Sequence, residues 1–279
     1  MLMTGTDAAR RIVGEAAAAA AALKAATGVT PCLATVLVGS DPASVTYVRM
    51  KQNRSAKAGI ASRHVELPAT ATTAELVGAL TALSQDPDVH GILLQHPVPP
   101  QIDERAAFEA IAPEKDVDGV TMHSFAAMAF AEPGFASATP AGILRLLDEY
   151  EVGLAGRHAV VVGRSPILGK PVGMLLLARD ATVTYCHSKT ADLAAYTREA
   201  DILVAAVGRP RFIRGADIKA GAVVVDAGYN PGNVGDVDFD SAVEKAALIT
   251  PVPGGVGPMT IAVLLEQTVA AARRQAGSR

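Results

Sequence analysis

Cysteine is nearly absent from this 279-residue chain, which has only Cys32 and Cys186. Each sits inside an apolar, strand-like stretch, with no pairing framework and no metal-ligand spacing around it. A disulfide scaffold is thereby excluded, and the two read as small buried hydrophobes in a reducing compartment. An excess of one charge is lacking too: the formal net charge is −3 and the basic residues fall singly instead of in tracts. Such a surface offers no electrostatic footprint for nucleic acid. No apolar stretch reaches membrane-spanning length without a charge. The nearest approach, Arg10-Arg11 before Ile12-Val13 and the alanines Ala16 to Ala22, is broken by Glu15 and closed by Lys24. It reads as a surface helix of high propensity, so no membrane partner is expected and the protein is expected to be cytoplasmic.

What is present is an α/β cadence, in a chain long enough for two domains and half apolar. The spacing predicts strands at 33–38, 63–67 and 91–94 alternating with helices at 43–58 and 73–83, the first of these opened by Asp41-Pro42 and ended by Gly59. After Gly153 a second alternation predicts strands at 159–162, 182–185, 202–205 and 223–227, with helices from Gly169 and near Leu193. The expected fold class is therefore two α/β domains, the second a Rossmann-like parallel sheet. Residues 1–138 would form the first domain and 139–259 the second, with a last helix over 260–279 returning to the first.

The segment Val160 to Gly163 followed by RSPILGKP reads as a strand entering a loop and helix, where a pyrophosphate meets a helix N-terminus. Gly163 and Gly169 are six apart, and Arg164-Ser165-Pro166 stands where the usual fingerprint has its second glycine, so the glycine pattern alone is weak. The end of the second strand is more telling. Enzymes specific for NAD place an acid there for the ribose 2′-hydroxyl, whereas this chain reads Cys186-His187-Ser188-Lys189-Thr190. Hydroxyls, a histidine and a lysine, with Arg164 nearby, suit a 2′-phosphate, which points to NADP. Solvated loop charges are the alternative. Further main-chain contacts are expected from Val207-Gly208 and Ala227-Gly228-Tyr229, at the carboxyl ends of later strands.

Four other features carry candidate chemistry. Tyr47 and Lys51 are four residues apart on one predicted helical face. Taken alone, that is more often a lysine stem lying along a ring; enclosed by apolar walls, such a lysine would have a lowered pKa and could exchange protons. Gln95 ends the predicted buried strand, placed either to align Lys51 or simply at the strand rim. Asp116 and Asp118 in PEKDVDG lack the further ligands of a hard-cation site, so no metal is expected, and Asp116 reads as a turn residue. Thr250 to Thr260, TPVPGGVGPMT, is too stiff for a linker and too irregular for a helix or strand. It reads as a main-chain wall against a flat ligand or as a tight turn before the last helix.

Five motifs occur in order from about Leu33 to Thr268: DPASVTYVRMK, GILLQHPVPP, KDVDGV, VVVGRSPILGKP and TPVPGGVGPMT. Together they resemble the methylenetetrahydrofolate dehydrogenase/cyclohydrolase family. The resemblance implies a bifunctional folate enzyme: NADP-dependent oxidation of 5,10-methylenetetrahydrofolate to the methenyl cation, then hydrolysis to 10-formyltetrahydrofolate. It further implies Lys51 as general acid/base with Tyr47 and Gln95 as its partners, and Asp118 accepting hydrogen bonds from the pterin. Pro253, Gly254 and Gly255 would form the wall across the folate. Gly163, Arg164, Ser165, His187, Ser188, Gly208 and Tyr229 would hold NADP, in a cleft between the domains of a homodimer. The chain departs from the family pattern at His96, where leucine is common; at Tyr229, where isoleucine is common; at Ala138, in place of a cysteine; and at Thr4-Gly5-Thr6, in place of Asp-Gly-Lys. His96 either tunes Lys51 or is a bystander, and Tyr229 either stacks near the nicotinamide or crowds it. A dehydrogenase lacking the hydrolytic step, and a non-catalytic sensor, are the rival readings.

Overall fold

A computed structural model describes residues 1–39 and 53–277. The predicted helix at 43–58, with Tyr47 and Lys51, lies outside the described residues except for its end, where residues 53–57 are helical. The chain forms two compact units. One comprises Arg11–Ala127, Pro133–Ala136 and Leu264–Arg279, the other Met1–Arg10, Met128–Glu132 and Ser137–Val263.

In the first unit, β1 (Cys32–Val38) is flanked by β2 (Ala61–Leu67) and β3 (Gly91–Leu94), all parallel. Every residue of β1 and β3 is buried, which is why both read as unbroken apolar runs in the sequence. β2 alternates between half-buried and exposed and carries Arg63, His64 and Glu66, as suits a sheet edge. Between β2 and β3 runs α2 (Thr73–Gln85), opened by a capping box in which the Thr72 hydroxyl accepts from the Glu75 amide and the Glu75 carboxylate accepts from the Thr72 amide. α1 (Thr6–Thr27) is the alanine-rich segment. Within this unit its Ile12, Ala16, Ala20 and Leu23 are buried at helical spacing, so it covers a core with one face. Burial raises the pKa of both cysteine thiols, and neither is poised as a thiolate.

After α3 (Glu104–Glu109), α4 (Met122–Phe130) and α5 (Ala138–Glu149), the second unit builds a five-stranded parallel sheet. Its order is β5-β4-β6-β7-β8, with β4 at His158–Val162, β5 at Thr182–Cys186, β6 at Ile202–Ala205, β7 at Val223–Asp226 and β8 at Leu248–Ile249. The strand order reverses between β4 and β6, where ligands sit in open α/β sheets. Between the strands lie α6 (Gly169–Leu177), α7 (Leu193–Thr197) and α8 (Phe239–Ala242).

Two expectations are corrected. Residues 1–10, grouped with the first half in the sequence, cluster with the second unit. There Leu2 bridges to Ile249, and the amides of Met3 and Gly5 donate to the carbonyls of Ile249 and Gly254. The final helix α9 (Val256–Gly277) begins four residues before the expected Thr260. Pro258 and Gly257 fall in its first turn, where amides have no intrahelical partner and proline loses nothing. Its later residues fasten within the first unit: Gln267 Nε2 donates to Val117 O (2.8 Å) and Ala136 O (3.0 Å), and Gln275 Nε2 to His90 O (3.0 Å).

Candidate active site

In the first unit the strand end that follows β3 is fixed by the Gln95 amide, which donates to Val36 O at 2.8 Å, while Gln95 Nε2 donates to His96 O at 2.9 Å. His96 is half-buried, precedes a cis bond to Pro97, and lies edge-on against Phe108 with centroids 6.2 Å apart. Its ring therefore has a packing partner that its sequence neighbours do not reveal. Asp116 is fully buried and is a turn residue. Its carboxylate accepts from Val120 N (3.0 Å), Thr121 N (2.9 Å), Thr121 Oγ1 (2.7 Å) and Ser124 Oγ (2.6 Å). Asp118, half-buried, stands on the turn that Asp116 organises, one residue before Gly119 at φ +66°.

In the second unit, register brings the candidate cofactor residues to one edge. Val162 pairs with Cys186 and Ala205, and Ala205 with Asp226, so the residues after β4, β5, β6 and β7 emerge side by side. Gly163 is required where it stands. Its φ is +135°, and a Cβ there would run into the carbonyl oxygen of Ala206, so the first loop can cross β6 only without a side chain. Ser165 Oγ accepts from the amides of Leu168 (3.1 Å) and Gly169 (3.2 Å), closing the loop onto the start of α6. After β5, the His187 amide donates to Thr190 Oγ1 (2.8 Å) and the Lys189 amide to His187 Nδ1 (3.2 Å). With Nδ1 accepting, the His187 ring has its N–H at Nε2 and presents a donor there.

Arg164, Ser188, Lys189 and Gly208 are exposed along this edge, and no carboxylate lies in 163–170 or 186–190. That donor set fits a dinucleotide bearing an extra phosphate. Tyr229 is 52% exposed, and its hydroxyl donates to Asn233 Oδ1 at 2.7 Å. Gly254 has φ +103°, Pro253 follows a cis bond, and the Gly255 amide donates to Pro251 O at 2.9 Å, so the Pro-Gly-Gly segment is a closed turn leading into α9.

Sequence reasoning missed the groups beneath this edge. Asp226 and Asp236 are buried at 4% and 0% exposure, and Asp236 accepts from loop amides on both neighbouring connections. Burial first, with repulsion from Asp236 adding to it, pushes the Asp226 carboxyl up to about 6 against the pull of three backbone donors. The available signal was DAGYN and GDVD, acids beside glycines at the end of an apolar strand.

These features define a two-domain α/β protein whose later domain is a Rossmann-type sheet with cationic, acid-free loops after β4 and β5. Residues 3–118 match the family described as tetrahydrofolate dehydrogenase/cyclohydrolase, catalytic domain, and residues 137–276 match its NAD(P)-binding domain. The chain is 76% identical over 276 residues to "Bifunctional protein FolD 1" of Streptomyces avermitilis, covering 99% of this chain and 96% of that one. The crystal structure of the bifunctional FolD enzyme from Campylobacter jejuni superposes with a TM-score of 0.95 at 42% identity, covering 98% and 99% of the two chains. A Trypanosoma brucei FolD complexed with NADP cofactor and inhibitor gives 0.94 at 38% identity, covering 98% and 97%. This chain belongs to the tetrahydrofolate dehydrogenase/cyclohydrolase family.

Proposed function

We propose that this protein oxidises 5,10-methylenetetrahydrofolate to the 5,10-methenyl cation with NADP and then hydrolyses the cation to 10-formyltetrahydrofolate. The observation that carries the reading is the pair of cationic, acid-free loops after β4 and β5 of the NAD(P)-binding sheet, in a chain whose two halves match the two domains of this family.

NADP, when bound, supplies the hydride acceptor. Arg164, Ser188 and Lys189 give its phosphates charged and hydroxyl partners, and the His187 Nε2–H adds a further donor. Gly163 and Gly208 let the main chain approach closely, and Tyr229 presents an exposed ring at the same edge. On the substrate side, Asp118 accepts from the amino and N–H groups of the pterin, and Pro253, Gly254 and Gly255 offer main-chain contacts. Lys51, oriented by Gln95 and Tyr47, handles the protons. Water adds to the methenyl carbon; one of its two protons passes to N5 as the bond from that carbon to N5 breaks, and the other is released to solvent as the formyl carbonyl forms. Lys51 takes the proton from the water and delivers it to the ring nitrogen. The roles of Tyr47 and Lys51 rest on the sequence match of Asp41 to Lys51. The unit built on β1, β2 and β3 serves as the folate domain and the unit built on β4 to β8 as the cofactor domain, in a cytoplasmic homodimer.

The test is a spectrophotometric assay with 5,10-methylenetetrahydrofolate and either NADP or NAD, following reduced cofactor and methenyl product together. The reading expects faster reduction with NADP, little methenyl build-up, and decay of added methenyl substrate faster than in buffer. Full methenyl build-up would reduce the protein to a dehydrogenase, and no reduction with either nucleotide would overturn the catalytic reading.

A further inference from the structure

Behind the exposed cofactor edge, one buried side chain gathers the amides of its loops. Asp236 uses both carboxylate oxygens: Oδ2 accepts from Val207 N (2.6 Å) and Gly208 N (2.9 Å), and Oδ1 from Arg209 N (2.8 Å) and Asn230 Nδ2 (3.0 Å). Three consecutive amides of the connection after β6 thus converge on a single anion, and the fourth donor comes from the connection after β7. Successive amides turned to one side form a nest that attracts negative charge; here the protein fills the nest itself. Asp236 is held from behind in turn. Its own amide donates to Asp226 Oδ1 (2.9 Å), which also accepts from Gly228 N (2.9 Å), while Asp226 Oδ2 accepts from Val237 N (2.8 Å). Further along, the same two connections are tied by main-chain bonds, Arg211 N to Gly235 O (3.0 Å), Ile213 N to Asp236 O (3.0 Å) and Asp238 N to Ile213 O (2.8 Å), while residues 207–209, with Gly208 exposed at φ +64°, are held by the Asp236 carboxylate. The carboxylate extends that short ladder to the exposed end of the loop.

The geometry points to Asp236 as a positioning residue for NADP, locking the loops after β6 and β7 into the one arrangement that receives the cofactor. It acts through Val207, Gly208, Arg209 and Asn230, and the inference rests on the assignment of Gly208 and Tyr229 to the cofactor edge made above. Asp236→Asn keeps the shape but sets a donor amide against at least one of the N–H groups it formerly accepted. The KM for NADP is expected to rise about tenfold or more while kcat changes less than about threefold, since charge-assisted bonds to one side chain are lost and no reacting group is touched. Hydrolysis of methenyl substrate supplied directly, with no nucleotide present, should stay within about twofold of wild type. A merely structural role would lower both activities together and leave the NADP KM unchanged.

Asn230→Ala removes one donor of the four and should raise the same KM about threefold, so it decides the matter if Asp236→Asn does not fold. Hydrogen exchange of the wild-type protein with and without NADP forms the second arm. Protection of peptides spanning 206–209 and 227–230 on adding NADP, together with the KM increase, is the expected result. Protection without a KM change in the variants would overturn the role of Asp236 alone. Absence of protection would overturn the cofactor-edge assignment, and the inference with it.

Discussion

Asp116 in one unit and the Asp226–Asp236 pair in the other perform the same local task, holding an irregular turn by its amides, in different surroundings. Asp116 draws all four of its donors from residues 120–124, two of them hydroxyls that can rotate to suit it. The pair draws from connections up to 29 residues away, and the two carboxylates repel each other. A lone acid with hydroxyl neighbours is a turn cap. A pair of acids facing backbone amides is a tertiary clamp, and it carries a charge penalty that depends on pH.

Substitutions should separate the two. The largest stability change is expected from Asp116→Ala, which leaves two buried amides and two hydroxyls without their acceptor and should cost about 4 kcal/mol. A urea unfolding curve measures it through the midpoint at constant slope. Asp226→Asn tests the other hub. Because the folded-state carboxyl is raised from its ordinary value to about 6, the folded protein holds more protons than the unfolded chain between about pH 4 and 6. The contribution of Asp226 to stability is therefore full at low pH and falls as pH rises through that window, by about 3 kcal/mol in all. Relative to wild type, the Asn variant should gain by about that amount between pH 4 and 7. Asp86 and Asp201, whose pKa values are lowered chiefly by side-chain bonds from Arg63 and Lys219, titrate with the opposite sign, but equally in both proteins. The smallest effect belongs to Thr250→Val. Thr250 Oγ1 accepts from the Asp226 amide at 2.7 Å, and its loss should cost about 1 kcal/mol with Thr250→Ser recovering most of it, again by urea midpoint.

The contrast also marks what the sequence could reveal. Strands buried on both faces announce themselves as apolar runs, and the ends of β3 at Gly91–Leu94 and β6 at Ile202–Ala205 fall where the pattern put them. The turn role of Asp116 was equally legible, because all its partners lie within eight residues. The start of α9 was not, since Gly257-Pro258 looks like a breaker unless the proline is known to stand in a first turn. Two-residue β8 and four-residue α8 are too short for any periodicity to register. Of the site, the loops bearing Gly163, Ser165 and His187 were marked by glycine and by the absence of an acid. The Asp226–Asp236 clamp was hidden because nothing local says which distant amides a carboxylate will meet.

The account turns on a lysine that moves protons during methenyl hydrolysis. The direct measurement is the methenyl hydrolysis rate of Lys51→Met beside titrations of NADP and folate binding. The account predicts both ligands bound within about threefold of wild type and hydrolysis slowed at least about a hundredfold, the scale of a lost general acid/base. Hydrolysis at the wild-type rate in a variant that binds both ligands would contradict it.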